Sequence, residues 1–400
     1  MTGATLTNEV ITAIDRTLQP AMYAKRGVAL VRGEGALLWD ADGNEYIDVM
    51  SNYGVNILGH SHPDVTAAIQ EQAGLLLNVH QSFSSDVRAA FLEALIAIAP
   101  DGLTQAWLCN SGAEAIEAAL KFAHAVTGRP NIVAMQRAYH GRTVAAGQAT
   151  APKPGDGSEP GPVTHVPFDD LDALDGAVDD RTAAIIIEPI QGEAGIYPAS
   201  DGFLAAAAEI AQREGALLIF DEVQTAFRTG DWFRANAEGV TPDILCTAKA
   251  LANGVPIGAT LITDAISEAL PSGLHGSTFG GNPLVCAAGL ATIQAIRDED
   301  LLAKSVELGD RLRIGIEALG SDQIREIRGV SLMTGIDLRG RVTPVLRGLQ
   351  DRGILALPAG NLTLRMLLPL VITDAQIDRV VETLEEVLEA TSKPRRRRST

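Results

Sequence analysis

The sequence predicts an α/β protein with a mainly parallel central sheet. From about residue 60 to residue 285, apolar runs of four to six residues alternate with helical stretches, as parallel strands and their covering helices do. Polar or charged residues follow all but the last of these runs, which is typical of strands that end at a ligand crevice. The candidate strands are residues 106–109, 132–135, 184–187, 217–220, 244–247 and 259–262.

The two ends of the chain are predicted to form a second, smaller α+β domain. Near the amino end, three apolar runs separated by glycine-containing turns indicate an antiparallel meander. Beyond about residue 286, helical periodicity dominates, and two strand-like segments and a closing amphipathic helix follow. These elements are residues 28–32, 36–40, 45–49, 329–338, 362–369 and 374–389.

We therefore predict two domains, of which the smaller is built from both ends of the chain. The Pro- and Gly-rich stretch 151–162 is predicted to be an internal loop that interrupts the larger domain without ending it. The predicted segments are 1–55, the first part of the small domain; 56–286, the large domain; 287–392, the second part of the small domain; and 393–400, a basic tail expected to be disordered.

The composition is that of a globular chain and argues against several classes of protein. Of 400 residues, 46% are hydrophobic and 20% are charged, enough apolar material for a large core. A net charge of −18 argues against a nucleic-acid partner, since such binding needs clustered Lys and Arg. We find no apolar run long enough for a bilayer and no leader, so we expect a cytoplasmic protein with no membrane partner. Cys109, Cys246 and Cys286 lack metal-ligand spacing and are expected to be reduced.

Lys249 and Asp221 each come at the end of a predicted buried strand. In open α/β sheets the ligand crevice lies beyond the carboxyl ends of the strands, so this amine and this acid can face one bound molecule. Pyridoxal phosphate needs both groups, because a lysine amine holds its aldehyde and a carboxylate keeps its pyridine nitrogen protonated. Taken singly, each residue also fits a simpler interpretation, a surface lysine and an acid that caps the next helix.

Ser111 lies in a short polar turn that follows the strand ending at Cys109 and opens a helical stretch. The free N–H groups and the positive dipole at a helix start bind phosphate, which makes this turn a candidate phosphate site. An ordinary N-cap explains the same residues, as Ser-Gly turns often are N-caps.

Further strand ends carry polar or aromatic groups. Tyr139 can stack on a flat cofactor, and Arg142 presents a planar fork that suits a carboxylate. Glu193 adds a polar group at the end of another strand. Gln224 can bond a cofactor oxygen and Val223 can pack on a ring face, although Val223 fits a core position as well.

Two features lie further along the chain. The glycine-rich segment 276–283, which contains Thr278, is interpreted as a second phosphate-contacting loop. Arg365 lies in an apolar, strand-like segment, where an unpaired charge is costly, so we expect a carboxylate partner. A fixed salt bridge explains Arg365 as well as a substrate site does.

Six motifs, met in order along nearly the whole chain, resemble the class III pyridoxal-phosphate aminotransferases. The resemblance implies fold type I, with a large cofactor-binding domain, and pyridoxal 5'-phosphate as the cofactor. The chain departs from the family pattern at residues 226–230, where a turn is one residue shorter. The six motifs are residues 110–115, 140–143, 188–193, 220–225, 248–250 and 276–283.

The resemblance also implies roles for the residues that hold the cofactor. Lys249 would bind its aldehyde and shuttle the proton, and Asp221 would pair with its pyridine nitrogen. Tyr139 and Val223 would sandwich the ring, and Gln224 would approach its phenolic oxygen. The residues expected to take the phosphate are Ser111, Gly112 and Ala113.

The substrate groups and the assembly follow from the same resemblance. Arg142 and Arg365 would bind substrate carboxylates. Glu193 would pair with Arg365 in one half-reaction and release it for the dicarboxylate in the other. Thr278 would reach the phosphate of the neighbouring subunit, so a homodimer would be the active unit.

Within the family the chain is similar to the acetylornithine branch, and especially to enzymes acting on lysine or ornithine attached to an acidic amino-group carrier protein. The implied reaction moves an amino group between glutamate or 2-oxoglutarate and the terminal carbon of the N-blocked substrate, in lysine or arginine biosynthesis. Free N-acetylornithine is the alternative substrate. An aminomutase, a decarboxylase and a noncatalytic binding protein are the remaining possibilities. A basic rim for the carrier would consist of Lys25, Arg26, Arg32 and Arg142.

Overall fold

A computed structural model describes residues 6–152 and 161–392. Its centre is a seven-stranded sheet in the order β4-β12-β11-β10-β7-β5-β6. The predicted basic tail 393–400 and most of the predicted loop 151–162 lie outside the described residues. The seven strands are β4 (Gln105–Cys109), β5 (Asn131–Met135), β6 (Val163–Val166), β7 (Thr182–Ile187), β10 (Leu217–Asp221), β11 (Ile244–Thr247) and β12 (Gly258–Ile262).

The large sheet is mainly parallel, as predicted. Strands β11, β10, β7, β5 and β6 run in the same direction, and only β12 is antiparallel, pairing with β11 on one side and β4 on the other. The six predicted strands are all present. The edge strand β6 was not predicted, because its Val-Thr-His-Val sequence is short, half polar and only partly buried.

Helices cover both faces of this sheet. Alternate residues of β5 point to opposite sides, so Ile132 and Ala134 pack in the core beneath α5, whereas Val133 and Met135 join the larger core on the other face. Among the described residues, no helix is both long and apolar enough to cross a membrane. The helices over the large sheet are α3 (Pro63–Ala73), α4 (Asp86–Ile96), α5 (Gly112–Thr127), α6 (Val144–Ala149), α7 (Leu171–Ala177), α9 (Phe203–Glu214), α10 (Arg234–Glu238), α11 (Asp264–Ala269) and α12 (Pro283–Asp298).

The remaining strands come from both ends of the chain. A four-stranded sheet has the order β1-β2-β3-β15, in which the predicted antiparallel meander receives a late strand that pairs in parallel with β3. A second sheet has the order β13-β14-β17-β16, and β8 and β9 form a short ribbon. The strands are β1 (Leu30–Glu34), β2 (Leu37–Asp40), β3 (Glu45–Asp48), β8 (Ile190–Gln191), β9 (Tyr197–Pro198), β13 (Ile324–Val330), β14 (Met333–Leu338), β15 (Ile354–Leu355), β16 (Leu357–Ala359) and β17 (Thr363–Leu367).

The division into two domains stays a prediction, and the predicted boundary between residues 286 and 287 falls inside α12. The predicted strand 329–338 is wrong in its extent, because Ser331, with φ 50°, turns the chain between β13 and β14. The segment 329–338 therefore contains the end of β13, a turn and all of β14. The other helical elements are α1 (Asn8–Leu18), α2 (Ser51–Gly54), α8 (Gly192–Gly195), a 3-10 turn (Lys249–Ala252), α13 (Leu301–Ala318), α14 (Val342–Gln350) and α15 (Asp374–Ser392).

Candidate active site

The carboxyl ends of β4, β5, β7, β10 and β11 surround a cavity of about 870 Å³. Polar side chains that follow these strands line it, together with Pro358 of β16 and three residues of the segment after β3, Asn52, Tyr53 and Val55. The sequence predicted a crevice at this edge because parallel strands end there together.

Lys249 lines the cavity two residues beyond β11. Its φ of 32° is unusual for a side-chain-bearing residue and turns the chain sharply into the 3-10 turn that follows. Enclosure by protein lowers the pKa of the amine; Glu193 opposes this effect, and the positive charge of Arg365 reinforces it. A larger share of the Lys249 amine is therefore an uncharged base than would be the case in water.

Asp221 ends β10 and is almost fully buried. One carboxylate oxygen lies 2.6 Å from Nδ1 of the buried His140, and the other accepts a hydrogen bond from the N–H of Val223 at 3.0 Å. Burial by itself lowers the pKa of His140, but the hydrogen bond and the charge of Asp221 outweigh it and raise that pKa. The raised pKa favours the protonated imidazole of His140, which holds the Asp221 side chain in place.

Glu188 lies beside this pair, directly after β7. Its two oxygens accept hydrogen bonds from the N–H groups of Tyr139, at 2.8 Å, and Gly192, at 3.1 Å. Burial and the nearby charge of Asp221 raise the pKa of Glu188 to about 7, while His140 lowers it. Through these two hydrogen bonds, Glu188 connects the segment after β5, which carries Tyr139, with the segment after β7, which carries Gly192.

The helix α5 begins at the cavity. Ser111 is its N-cap, and the Ser111 hydroxyl accepts a hydrogen bond from the N–H of Glu114 at 3.2 Å. Gly112 has to lack a side chain, because a Cβ there would lie 2.7 Å from Val223. Val223 therefore packs closely against the start of this 16-residue helix, and Ser111, Gly112 and Ala113 line the cavity at the end where the first N–H groups of the helix are free.

Arg365 is fully buried in β17 and donates a hydrogen bond to Glu193 at 2.6 Å. This is the carboxylate partner that the sequence predicted. Gln224 also donates to Glu193, at 3.3 Å. Burial raises the pKa of Glu193, but Arg365 overcomes that effect and lowers it, so Glu193 is ionised. Among the described residues, Nε and Nη2 of Arg365 have no hydrogen-bond partner.

Three groups surround the opening of the cavity. The Arg142 side chain is exposed to solvent. Its guanidinium carbon lies 6.0 Å from the ring centroid of Tyr139, and its Nη1 donates a hydrogen bond to the hydroxyl of Tyr23 at 3.3 Å. Tyr53 approaches Arg365 from the side of the small sheets, 5.8 Å from ring centroid to guanidinium carbon. The cavity therefore has one exposed arginine among its lining residues, Arg142, and one buried in its wall, Arg365.

An unusual turn presents Tyr53 and Asn52 to the cavity. Ser51, Asn52 and Tyr53 have consecutive positive φ values of 42°, 50° and 59°, which only strong tertiary contacts maintain in residues other than glycine. Two hydrogen bonds hold this turn. The Ser51 hydroxyl donates to the carbonyl of Leu367 at 2.5 Å, and the carbonyl of Gly54, which ends the turn, accepts a hydrogen bond from Arg228 at 2.8 Å.

Arg228, in the shortened turn 226–230, is completely buried. It donates to the carbonyls of Gly54 and Leu368, and burial lowers the pKa of the guanidinium to about 9. Both carbonyls belong to segments that carry cavity residues. Arg228 therefore ties the loop after β10 to the turn 51–54 and to the end of β17.

The structure brings eleven of the twelve predicted site residues to the cavity or, for Arg365, to its wall. Thr278 is the exception, because it is exposed in the glycine-rich loop and does not line the cavity of its own chain. Sequence reasoning assigned no role to His140 or Tyr53. A signal for His140 was present, since the residue directly follows Tyr139 in a motif at the end of β5.

Residues 20–388 match the sequence model of the family described as aminotransferase class-III. The chain belongs to this family. Among curated relatives, the aminotransferase is 44% identical over 383 residues to the LysW-aminoadipate semialdehyde transaminase of Deinococcus radiodurans, covering 94% of this chain and 89% of that relative. It is 41% identical over 401 residues to the acetylornithine aminotransferase of Mycobacterium bovis, covering 97% and 98%.

Solved structures of similar enzymes have the same fold. The ornithine aminotransferase of Toxoplasma gondii superposes with a TM-score of 0.92 at 32% identity, covering 96% of this chain and 95% of that one. The acetylornithine aminotransferase of Elizabethkingia anophelis gives a TM-score of 0.86 at 33% identity, covering 96% and 99%. The predicted fold class and the predicted family are therefore confirmed.

This aminotransferase is pyridoxal-phosphate-dependent, as its family is. The cavity fits that cofactor. It offers an amine with a lowered pKa at Lys249, a buried carboxyl group held by His140 at Asp221, and the start of the helix α5 at Ser111, Gly112 and Ala113. These are the groups that an aldehyde, a pyridine nitrogen and a phosphate require.

Proposed function

We propose that this aminotransferase moves the amino group between glutamate and the terminal carbon of an N-blocked lysine or ornithine semialdehyde that is attached to an acidic carrier protein. The observation that carries the proposal is the ion pair of Arg365 with Glu193 near the amine of Lys249. A pair of this kind suits an enzyme that has to accept a dicarboxylate, whose reacting carbon bears a carboxylate, and a second substrate whose reacting terminal carbon bears none. Free N-acetylornithine is the second candidate substrate, favoured by the acetylornithine relatives.

We assign the cofactor contacts to residues of the cavity. Lys249 would hold the aldehyde of the cofactor, and its amine would be the base that moves the proton at the reacting carbon of the substrate. Asp221, oriented by His140, pairs with the pyridine nitrogen. Tyr139 and Val223 enclose the ring. When bound, pyridoxal phosphate supplies the carbonyl that takes up the amino group and the electron sink for the reaction.

The remaining contacts follow from the helix start and the end of β10. Ser111, Gly112 and Ala113 bind the phosphate through the hydroxyl and the free N–H groups. Gln224 donates a hydrogen bond to Glu193 and lines the cavity, so we assign it the contact with the phenolic oxygen of the cofactor.

Two substrates alternate at this one site. When glutamate or 2-oxoglutarate is bound, the carboxylate attached to its reacting carbon binds Arg365 and Glu193 moves away. When the terminal amine of the blocked substrate is bound, Glu193 returns and neutralises Arg365, so that no unpaired buried charge remains. Arg142, near the opening, binds the other carboxylate.

We propose that the aminotransferase is a homodimer in which Thr278 serves the partner's site. Thr278 is exposed and lies outside the cavity of its own chain. Next to it, Phe279 is 61% exposed, and Phe83 and Leu75 are also largely exposed. Large apolar side chains exposed in this way are typical of an interface.

Phe279 and Phe83 lie on two segments that one buried side chain connects. The buried guanidinium of Arg88 donates to the carbonyls of Gly281, Phe83 and Val79 at 2.6–2.8 Å. It therefore holds the Thr278 loop against the segment that carries Phe83.

A complementation experiment tests the dimer. Mixing Lys249→Ala protein with Thr278→Glu protein under subunit exchange should restore about a quarter of wild-type activity, because half the dimers are hybrids and each hybrid has one complete site. Glutamate at position 278 should repel the phosphate. Ser272→Glu, which adds the same charge in the exposed turn before the loop, should be as active as wild type. Verified exchange without recovery of activity would show that each chain completes its own site.

The predicted basic rim is reduced to two residues. Lys25 is paired with Asp15 at 2.5 Å, and Arg32 is paired with Glu34. Arg26 donates to the carbonyl of Ala356, and within residues 6–152 and 161–392 neither it nor Arg142 has a carboxylate partner. The chain as a whole has a net charge of −18 and would repel an acidic carrier. We therefore propose that Arg26 and Arg142 provide the local attraction for the carrier.

The dependence of activity on salt distinguishes the carrier-linked substrate from the free one. Between about 50 and 500 mM salt, kcat/KM for the carrier-linked substrate should fall about tenfold, while kcat/KM for N-acetylornithine should change little. Arg26→Gln should weaken turnover of the carrier-linked substrate, and Arg32→Gln, which removes an already paired charge, should not. A higher kcat/KM for free N-acetylornithine would make that substrate the preferred assignment.

The rival activities are separated by simple measurements. An aminomutase or decarboxylase would turn over without 2-oxoglutarate, whereas transamination requires it. A noncatalytic protein would lack the visible absorbance of a bound cofactor. We place the reaction in the cytoplasm, in keeping with three cysteines that are all free and buried.

A further inference from the structure

The backbone that carries Glu193 is held by two arginines from opposite sides. Arg137, which follows β5 of the large sheet, donates to the carbonyl of Ala194 at 2.8 Å. Arg328, on β13 of the second small sheet, donates to the carbonyl of Gly195 at 2.9 Å. The two peptide groups directly after Glu193 are therefore fixed by charged donors.

Tyr197 connects these two arginines. The guanidinium carbon of Arg137 lies 4.4 Å from the centroid of the Tyr197 ring, and that of Arg328 lies 3.8 Å from it. Both distances are within the range of a favourable cation–π contact. The large sheet and the small sheet thus meet at one aromatic ring, four residues after Glu193.

Arg328 is itself fixed to the strand of Arg365. It pairs with the buried Asp337 at 2.8 Å, and Asp337 accepts a hydrogen bond from Thr363, two residues before Arg365 on β17. Burial alone would raise the pKa of Asp337, but its hydrogen bonds and Arg328 lower it, so the acid stays ionised. Arg328, which binds the backbone after Glu193, and Arg365, which binds the Glu193 side chain, therefore belong to the same sheet.

The loop passes very close to that sheet. Gly335 pairs with Arg365 across the strands, and a Cβ on Gly335 would lie 2.4 Å from the carbonyl of Gly195. The next residue, Ile196, is buried with a φ of 60°, a costly conformation for a β-branched residue. Strain of this kind persists only where the surroundings determine the backbone.

We propose that Arg137, Tyr197 and Arg328 form a clamp that positions Glu193 against Arg365, so that the change between half-reactions is a rotation of the Glu193 side chain on a fixed backbone. These are positioning residues, acting through Glu193. The inference rests on the proposed use of glutamate. It identifies residues, remote from the cofactor, that set the balance between the dicarboxylate and the blocked substrate.

Binding of glutarate, an unreactive dicarboxylate, to the holoenzyme tests the clamp by calorimetry. Glu193 competes with the dicarboxylate for Arg365, so Tyr197→Leu, Arg137→Gln and Glu193→Gln should each tighten glutarate binding, by about tenfold. The ratio of kcat/KM for glutamate to that for N-acetylornithine should rise in the same variants. In a Glu193→Gln background, Tyr197→Leu should add nothing further, because its effect is transmitted through Glu193.

Arg325→Gln is the matched control. Arg325 is on the same strand as Arg328, pairs with Asp337 and interacts with Tyr197 through its charge, but among the described residues it donates no hydrogen bond to the backbone of the loop that carries Glu193. It should leave the glutarate affinity unchanged. If Tyr197→Leu does not fold, Arg137→Gln, at an exposed residue, provides the measurement.

Two failures can be told apart. Unchanged glutarate affinity in the clamp variants, with tighter binding in Glu193→Gln, overturns the clamp and leaves the proposed function intact. Equal effects of Tyr197→Leu with and without Glu193 also overturn it, since they would show a general loss of structure. A wild-type enzyme that neither binds glutarate nor uses glutamate contradicts the proposed function itself.

Discussion

Lys249→Ala should lower turnover by at least about 10⁴-fold, the upper end of the range for losing a positioned acid–base group. The reason is that one amine both binds the cofactor and moves the proton. The variant should also lose the cofactor adduct that borohydride traps in the wild-type enzyme, as measured by mass spectrometry of peptides. Its unfolding temperature without cofactor should stay close to that of the wild type, because the removed amine is one that burial disfavours in its charged form.

Lys304→Ala provides the control for this experiment. Lys304 is an exposed lysine of α13 that donates only to a backbone carbonyl among the described residues. The variant should retain both activity and the adduct. An adduct that persists in Lys249→Ala at another lysine would contradict the assignment.

Asp221→Ala should lower kcat by about a hundredfold to a thousandfold, the range seen when one preorganised electrostatic group is removed. The carboxylate is fixed by His140 at 2.6 Å and keeps the cofactor nitrogen protonated in the proposed reaction. The loss should be visible in steady-state kinetics and in the absorbance spectrum of the bound cofactor. Stability should change much less than catalysis.

The matched variant is Asp243→Ala. Asp243 is a partly buried acid directly before β11, at the opposite edge of the same sheet, and it accepts a hydrogen bond from the N–H of Leu218 at 2.8 Å. Its removal should lower the unfolding temperature with little effect on kcat. Near-normal turnover of Asp221→Ala would argue that another group protonates the cofactor.

Much of the site could be predicted because most of its residues directly follow buried strands, which are recognisable in the sequence. Lys249, Asp221 and Ser111 all come at the ends of buried strands, and the carboxyl ends of parallel strands meet at one edge. Arg365 was recognisable for a different reason, since a charge in an apolar strand requires a partner. The structure supplies that partner in Glu193.

The parts that could not be predicted depend on contacts between distant segments. The Arg137 and Arg328 contacts to the Glu193 loop join residues 57 and 133 positions apart in sequence, and no local pattern specifies such a pairing. The same holds for Arg228, whose carbonyl partners lie 174 and 140 residues away. Lys25 was assigned to a basic rim because its partner Asp15, ten residues away, is revealed only by the fold, whereas the partner of Arg32, Glu34, is two residues away and was overlooked in the sequence.

The order of the strands along the chain has a consequence for biosynthesis. All seven strands of the large sheet lie within residues 105–262, whereas β15, which pairs with β3, is at Ile354–Leu355. A chain emerging from the ribosome therefore completes the sheet that bears Lys249 before it has made Arg365. During that interval β3 is an unpaired edge, open to wrong partners. The nascent protein thus gains its cofactor-binding half first, and β3 is where a chaperone would have to shield it.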